Sequence, residues 1–146
     1  MTILYVKGDA TKPDRYGPKI VAHICNNEGA WGAGFVLAVS RRWPEPEADY
    51  RFRQVRVLGK THFVKVADDL YVANMIAQTL GDTIPVKYDA LEKCLDSVRS
   101  RAKRLCASVH MPRIGCGLGG GDWRDVEPIV QKTLCKRGVH VTVYDL

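Results

Sequence analysis

The sequence predicts a single α/β domain in which a mixed β-sheet lies between helical layers. Three observations carry this. Short extended runs alternate with longer helical ones, the pattern of helices packed on both faces of a sheet. Two of the extended runs meet at Asp68-Asp69 with hairpin spacing, so the sheet is mixed and not purely parallel. The 146 residues suit one domain with one core, spanning 1–146.

The elements follow in order. Ile3 to Lys7 is an extended run stopped by Gly8, and Lys19 to Cys25 is a second with the apolar stretch IVAHIC. Ala33 to Trp43 puts Val36, Val39 and Trp43 on one helical face, and Pro44 ends that helix. A short helix is expected over Pro46 to Arg51. His62 to Ala67 and Leu70 to Gln78 are the hairpin strands. Tyr88 to Cys106 is the clearest helix, because Leu91, Leu95, Val98, Ala102 and Leu105 step by four and three into one stripe. Val109 to Met111 is a short buried strand. Asp125 to Arg137 is a helix with Val126, Ile129, Val130 and Leu134 inward and Gly138 as its stop. Asp125 is its expected cap, which puts Pro128 in the first turn, where a missing N–H is harmless. Val139 to Tyr144 closes the sheet with alternating valines.

Composition sets the class of partner. The chain is 46% hydrophobic and 26% charged, an ordinary balance for a globular domain. No apolar run reaches the roughly 18 residues of a membrane helix, so no membrane partner is expected. Lys7 and Asp9 come too early for a signal peptide, which predicts a cytoplasmic protein, or a nuclear one in a eukaryote. A net charge of +6 suits an anionic partner, but the cations are dispersed. The clusters Arg41-Arg42 and Arg99 to Arg104 fall on helices, where solvated faces explain them as well as a nucleic-acid patch does. The five cysteines are odd in number with no C-x-x-C pair, so neither a disulfide framework nor a metal site is expected.

Two loops stand out for chemistry. Gly115 to Gly121 has five glycines in seven residues and leads into a helix. Such a loop lets backbone N–H groups close on a ligand beside a positive helix end, a recipe for binding phosphate or pyrophosphate. No Lys-Ser/Thr pair follows, so it is not a Walker A loop. Asn26 to Gly34 reads NNEGAWGAG and opens the next helix, giving a second anion-attracting end. Two such loops facing one cleft suit a diphosphate flanked by sugars. Asn26 and Asn27 offer groups for ribose hydroxyls, or for capping a turn. Trp31 either covers a ligand or pins the loop to the core. Asp9, after the first strand, either accepts an exocyclic amine or caps a turn.

The blocks YVKGDATKP, VAHICNNEGAWGAGF, MPRIGCGLGGGDW and VTVYDL together resemble the macro domain family, in its order and over nearly the whole chain. The nearest branch is the compact one of terminal ADP-ribose protein glycohydrolase and related bacterial proteins. The resemblance implies a three-layer α/β/α fold with about six strands, and ADP-ribose or an ADP-ribosylated protein as partner. It implies no cofactor and a monomer, with nucleic acid a less favoured partner. It places Asp9 and Ala10 at the adenine, and Asn26, Trp31, Gly32, Ala33 and Gly34 around the distal ribose. Gly115, Cys116, Gly117, Leu118 and Gly119 would hold the diphosphate, and Tyr144 would stack on the adenine.

The sequence also departs from that branch. Ala77-Gln78-Thr79 stands where a catalytic lysine follows the fourth strand, and Gly119 stands where an aspartate follows G-C-G-L. The expected activity is therefore hydrolysis of ADP-ribosyl conjugates without a lysine adduct. The substrate would be an ester to Glu or Asp, or O-acetyl-ADP-ribose. The catalytic candidates are Asp122 as general base and Asn26. The alternatives are a non-catalytic ADP-ribose reader, or a hydrolase of ADP-ribosylated DNA.

Overall fold

The computed structural model describes residues 1–146. It contains six strands: β1 (Leu4–Lys7), β2 (Lys19–Asn26), β3 (Thr61–Ala67), β4 (Leu70–Gln78), β5 (Ser108–Met111) and β6 (Val141–Asp145). Four α-helices join them: α1 (Phe35–Arg42), α2 (Glu45–Phe52), α3 (Tyr88–Leu105) and α4 (Trp123–Thr133). The sheet order is β1-β6-β5-β2-β4-β3. Only β3 runs antiparallel, against β4, and all other neighbours are parallel. This is the mixed six-stranded sheet that the sequence predicts.

Alternation along β2 divides the protein into layers, because successive side chains point to opposite faces. Ile20 and Ala22 face the larger core with Leu91, Leu95 and Val98 of α3 and Val126 and Val130 of α4. Val21 and Cys25 face the smaller core with Val36 and Val39 of α1 and Tyr50 of α2. The stripe on α3 packs as its spacing predicts, with Leu91, Leu95, Val98 and Ala102 buried.

Several boundaries differ from the sequence reading. Helix α1 starts at Phe35, not Ala33, because Gly34 takes φ 83°, a conformation outside the helical region that glycine tolerates. Helix α4 starts at Trp123, not Asp125. Its cap is Asp122, whose carboxylate accepts the Arg124 N–H at 2.9 Å. Pro128 therefore lies inside the helix, beyond its first turn. The helix ends at Thr133, and a 3-10 turn over Cys135–Arg137 carries the chain to Gly138, whose left-handed φ of 83° is the predicted stop. Cys106 lies just past α3, in the left-handed region at φ 54°.

Two buried histidines tie neighbouring strands together. His23 on β2 meets Asn74 on β4 at 2.6 Å, and the Asn74 amide donates to the Pro46 carbonyl. The Asn74 oxygen therefore faces the ring, and His23 Nε2 is the donor. His110 on β5 bridges Ser108 and Tyr144 at 2.8 and 2.7 Å. Burial lowers both histidines to about 4. Below pH 6.5 the unfolded chain takes up protons that these folded rings refuse. Stability should fall as pH drops from 6.5 toward 4, by on the order of 3 kcal/mol per histidine at the lower limit. Urea unfolding at pH 7, 5.5 and 4.5 checks this, and His110→Gln should flatten the profile. A wild-type midpoint that does not move over that range contradicts it.

Candidate functional site

The loop after β2 is folded by one side chain. Asn26 is buried, and its Oδ1 accepts the N–H groups of Glu28 and Ala30 at 2.9 and 3.1 Å. Its Nδ2 donates to the Ala30 carbonyl at 2.7 Å. The Tyr50 hydroxyl reaches Asn26 O and Oδ1 at 2.7 and 2.8 Å and accepts the Gly29 N–H. Asn26 thus works mainly as the organiser of its own loop. The Trp31 alternative resolves toward pinning. Its ring is 3% exposed, edge-on to His23 and tilted against Tyr50, and its Nε1 donates to Ser40 at 2.7 Å.

The glycine-rich loop after β5 is also folded from within. The Gly121 N–H donates to the Gly115 carbonyl at 2.7 Å, drawing the loop tight. A Cβ on Gly119 or Gly121 would meet that carbonyl oxygen at 2.8 or 2.7 Å, and Gly115 itself has φ 77°. These three glycines serve the turn. Gly117 has open space where its Cβ would stand, so it leaves the backbone approachable.

The two loops face each other across a cleft of ≈ 260 Å³. Of the predicted residues, Asn26, Ala33, Gly115, Gly117, Leu118 and Gly119 line it. Gly34 stands at the junction, where its Cβ would press on Leu118 at 3.2 Å. The N–H groups of Ala33, Phe35, Gly117, Leu118 and Gly119, which line this space, donate to nothing in the chain, and neither do those of the neighbouring Gly32 and Gly34. Two rows of free amide donors after the parallel strands β2 and β5 have the makings of an anion cradle.

Other predicted residues lie elsewhere. Cys116 is outside the lining, its thiol turned to the Ile114 carbonyl at 3.4 Å. Tyr144 is 7% exposed, and its hydroxyl meets His110 and accepts the Asp14 N–H at 3.1 Å, so its ring is core more than platform. Asp9 caps a turn, with Oδ1 accepting the Thr11 N–H and hydroxyl at 2.8 Å each. Burial pushes its pKa up, but those bonds and the Lys12 charge bring it below the usual range. Asp9 lies on a separate cavity, and its neighbour Ala10 is buried. Asp122 is also outside the cleft. Besides capping α4, it holds the Arg124 guanidinium at 2.8 Å, which lowers its pKa. The reading that Asp125 caps this helix and leaves Asp122 free is overturned. The positive end of α4 is occupied by that cap.

Sequence reasoning missed His23, Cys25, Phe35, Gln78 and Arg113 in the lining. His23 and Cys25 are strand residues with no outward sign of a site. His23 Nδ1 is buried without a partner, and burial raises the Cys25 thiol well above its ordinary value. Gln78 sits where the expected lysine is missing. Arg113 is held by Asp145 at 2.7 and 3.0 Å, over the rings of Tyr5 and Trp123. No carboxylate and no lysine lines the cleft, and Lys87 pairs with Asp82 instead.

The glycine geometry predicts a split between neighbours. Gly119→Ala should destabilise the fold by about 1–3 kcal/mol, because its methyl meets backbone. Gly117→Ala should be close to neutral in urea unfolding. Equal midpoints for the two variants contradict this account.

A family model for the Macro domain matches residues 22–130. The chain is 30% identical to an ADP-ribose 1''-phosphate phosphatase of Lodderomyces elongisporus, over 90% of this chain and 92% of that protein. It is 27% identical to ADP-ribose glycohydrolase OARD1 of Homo sapiens, over 99% of this chain and 91% of that protein. It also resembles chromodomain-helicase-DNA-binding protein 1-like of Danio rerio at 31% identity, but spans 15% of that protein's length. A macrodomain protein from Streptomyces coelicolor has the same fold at a TM-score of 0.88, with 51% identity over 99% of each chain. The six-stranded mixed sheet, the paired loops at its end and the family match agree, and the chain belongs to the macro domain family.

Proposed function

We propose that this protein binds ADP-ribose in the cleft between its two loops and hydrolyses ADP-ribosyl conjugates to release it. The observation that carries the reading is the double row of free amide donors around ≈ 260 Å³ of space. Amides fixed by the fold hold a diphosphate with no reorganisation, where side chains would have to be ordered first. The relatives named for ADP-ribose 1''-phosphate and ADP-ribose hydrolysis support the same ligand.

The lining limits the chemistry. Its titratable side chains are His23, Cys25 and Arg113. His23 is neutral at pH 7, Cys25 remains a thiol and Arg113 is tied to Asp145. None is a ready general base. The reaction is therefore one with a good leaving group at the distal ribose C1″, an acyl or phosphate ester. The protein holds the diphosphate and ribose still while water attacks. The amides of Gly117, Leu118 and Gly119 face charge that develops on the departing oxygen. Asn26 acts through the loop it folds, and Asp122 through α4. A second reading, binding without cleavage, is favoured by the same absence of a base.

Calorimetry with ADP-ribose tests the binding half: heat of binding is expected, and its absence ends the proposal. A panel of glutamate-linked, O-acetyl, 1''-phosphate and nucleic-acid-linked ADP-ribose tests the second half. Release is expected from the ester or phosphate members. Tight binding with no release from any member would establish the reader. Asn26→Ala should weaken ADP-ribose binding at least about tenfold by loosening the loop. Asp122→Ala should lower the melting temperature and leave turnover within about twofold, because its carboxylate does not reach the cleft. A loss of turnover in Asp122→Ala without a loss of ADP-ribose binding would restore the aspartate as the base.

A further inference from the structure

A second cavity, of ≈ 220 Å³, lies between the segment after β1 and the C-terminal half of α1. Its lining is Asp9, Thr11, Lys12, Ala38, Arg41 and Arg42. The three cations come from two separate segments and are exposed. None of the seven ion pairs of the chain includes them, and none donates a side-chain hydrogen bond, whereas Arg51, Arg53, Arg99, Arg113 and Arg124 all find carboxylates. Arg41 and Arg42 stand in the last turn of α1, where the helix dipole welcomes positive charge. The dipole gives no reason for Lys12, which belongs to another segment and lines the same cavity.

We infer that this cavity is a second anion site, built for a phosphate monoester. Three cations against the one carboxylate of Asp9 leave two positive charges. A monoester carries about −1.5 to −2 near pH 7, which balances them, while a carboxylate or a phosphodiester supplies half as much. Arginine forks grip phosphate oxygens in pairs, and lysine adds a compact point charge. The Asp9 Oδ1 accepts from Thr11, and the charges of Lys12 and Arg42 act on the same carboxylate, so Asp9 offsets one positive charge and leaves two.

Helix α1 joins this site to the main cleft. Phe35 and Val36 line the cleft and Arg42 lines the second cavity. The rise from Val36 to Arg42 is about 9 Å. An extended ligand with its diphosphate at the N-terminal end of α1 covers this distance with one of its ends, and we assign the adenosine end to the side of Lys12. The substrate class this selects, resting on the function proposed above, is ADP-ribose that bears a further phosphate monoester on its adenosine.

The test compares ADP-ribose with ADP-ribose 2'-phosphate by calorimetry, and separately titrates inorganic phosphate while amide shifts are followed by NMR. The full chain and the Lys12→Ala/Arg41→Ala/Arg42→Ala variant are used, with matched melting curves as the folding control. The phosphorylated ligand should bind the wild type roughly fivefold to fiftyfold tighter. The variant should lose that advantage and keep its affinity for ADP-ribose within about twofold. Inorganic phosphate alone should move the amides of Lys12 and Arg41, which separates a free-standing phosphate site from one that needs the tethered nucleotide. Equal affinities of the wild type for both ligands overturn the inference. So does an advantage that survives in the variant. If ADP-ribose fails to bind while phosphate still moves Lys12 and Arg41, the second site stands and the function proposed for the main cleft falls.

Discussion

The site depends on backbone amides that the fold leaves without partners. Most buried N–H groups in a protein are paired, so a cluster of free ones must face solvent or a ligand. Here two loops reach that state by opposite means. The loop after β2 uses one buried side chain, Asn26, whose oxygen takes the N–H groups of Glu28 and Ala30. The loop after β5 uses the absence of side chains, since the Gly115 carbonyl packs where methyl groups on Gly119 and Gly121 would have to sit. In both, internal bonds set the turn, and the remaining donors line the gap.

This division explains why the cleft is poor in charged chemistry. A site that binds anions through amides needs no cationic side chain inside it, and a carboxylate there would repel the ligand. Arg113 is the one cation in the lining, and Asp145 already holds it. The catalytic work open to such a cleft is positioning and stabilisation of developing charge, which suits esters more than stable glycosidic bonds. Net positive charge resides instead on the outer walls. Of the unpaired cations, Arg41 and Arg42 stand about one and a half turns along α1 from the cleft, and Lys12 lines the same outer cavity from the segment after β1.

The core supports both loops. Trp31 inserts between His23 and Tyr50 and fixes the first loop to α2. Val86 packs where a Cβ on Gly115 would come within 3.1 Å, and its N–H donates to the Gly119 carbonyl. The segment before α3 therefore braces the second loop. A change in either brace reaches the ligand site without touching it.

The sequence by itself determined the layers, because periodicity is a local property. Four-and-three spacing set α3, an apolar run set β2, alternating valines set β6, and glycine content marked both loops. It also named six of the sixteen residues that line the cleft, since Asn26, Ala33, Gly115, Gly117, Leu118 and Gly119 all lie in those loops. Only the tertiary structure decided which way side chains face. Asp9 and Tyr144 look like ligand contacts in the string, but the first is bonded to Thr11 and the second to His110. Asp122 or Asp125 could each cap α4 on spacing alone, and the bond to the Arg124 N–H picks the first. His23, Gln78 and Arg113 come from the C-terminal halves of β2 and β4 and the turn after β5, far apart in the chain. They become one lining because parallel strands bring those ends together, a proximity that no local pattern encodes.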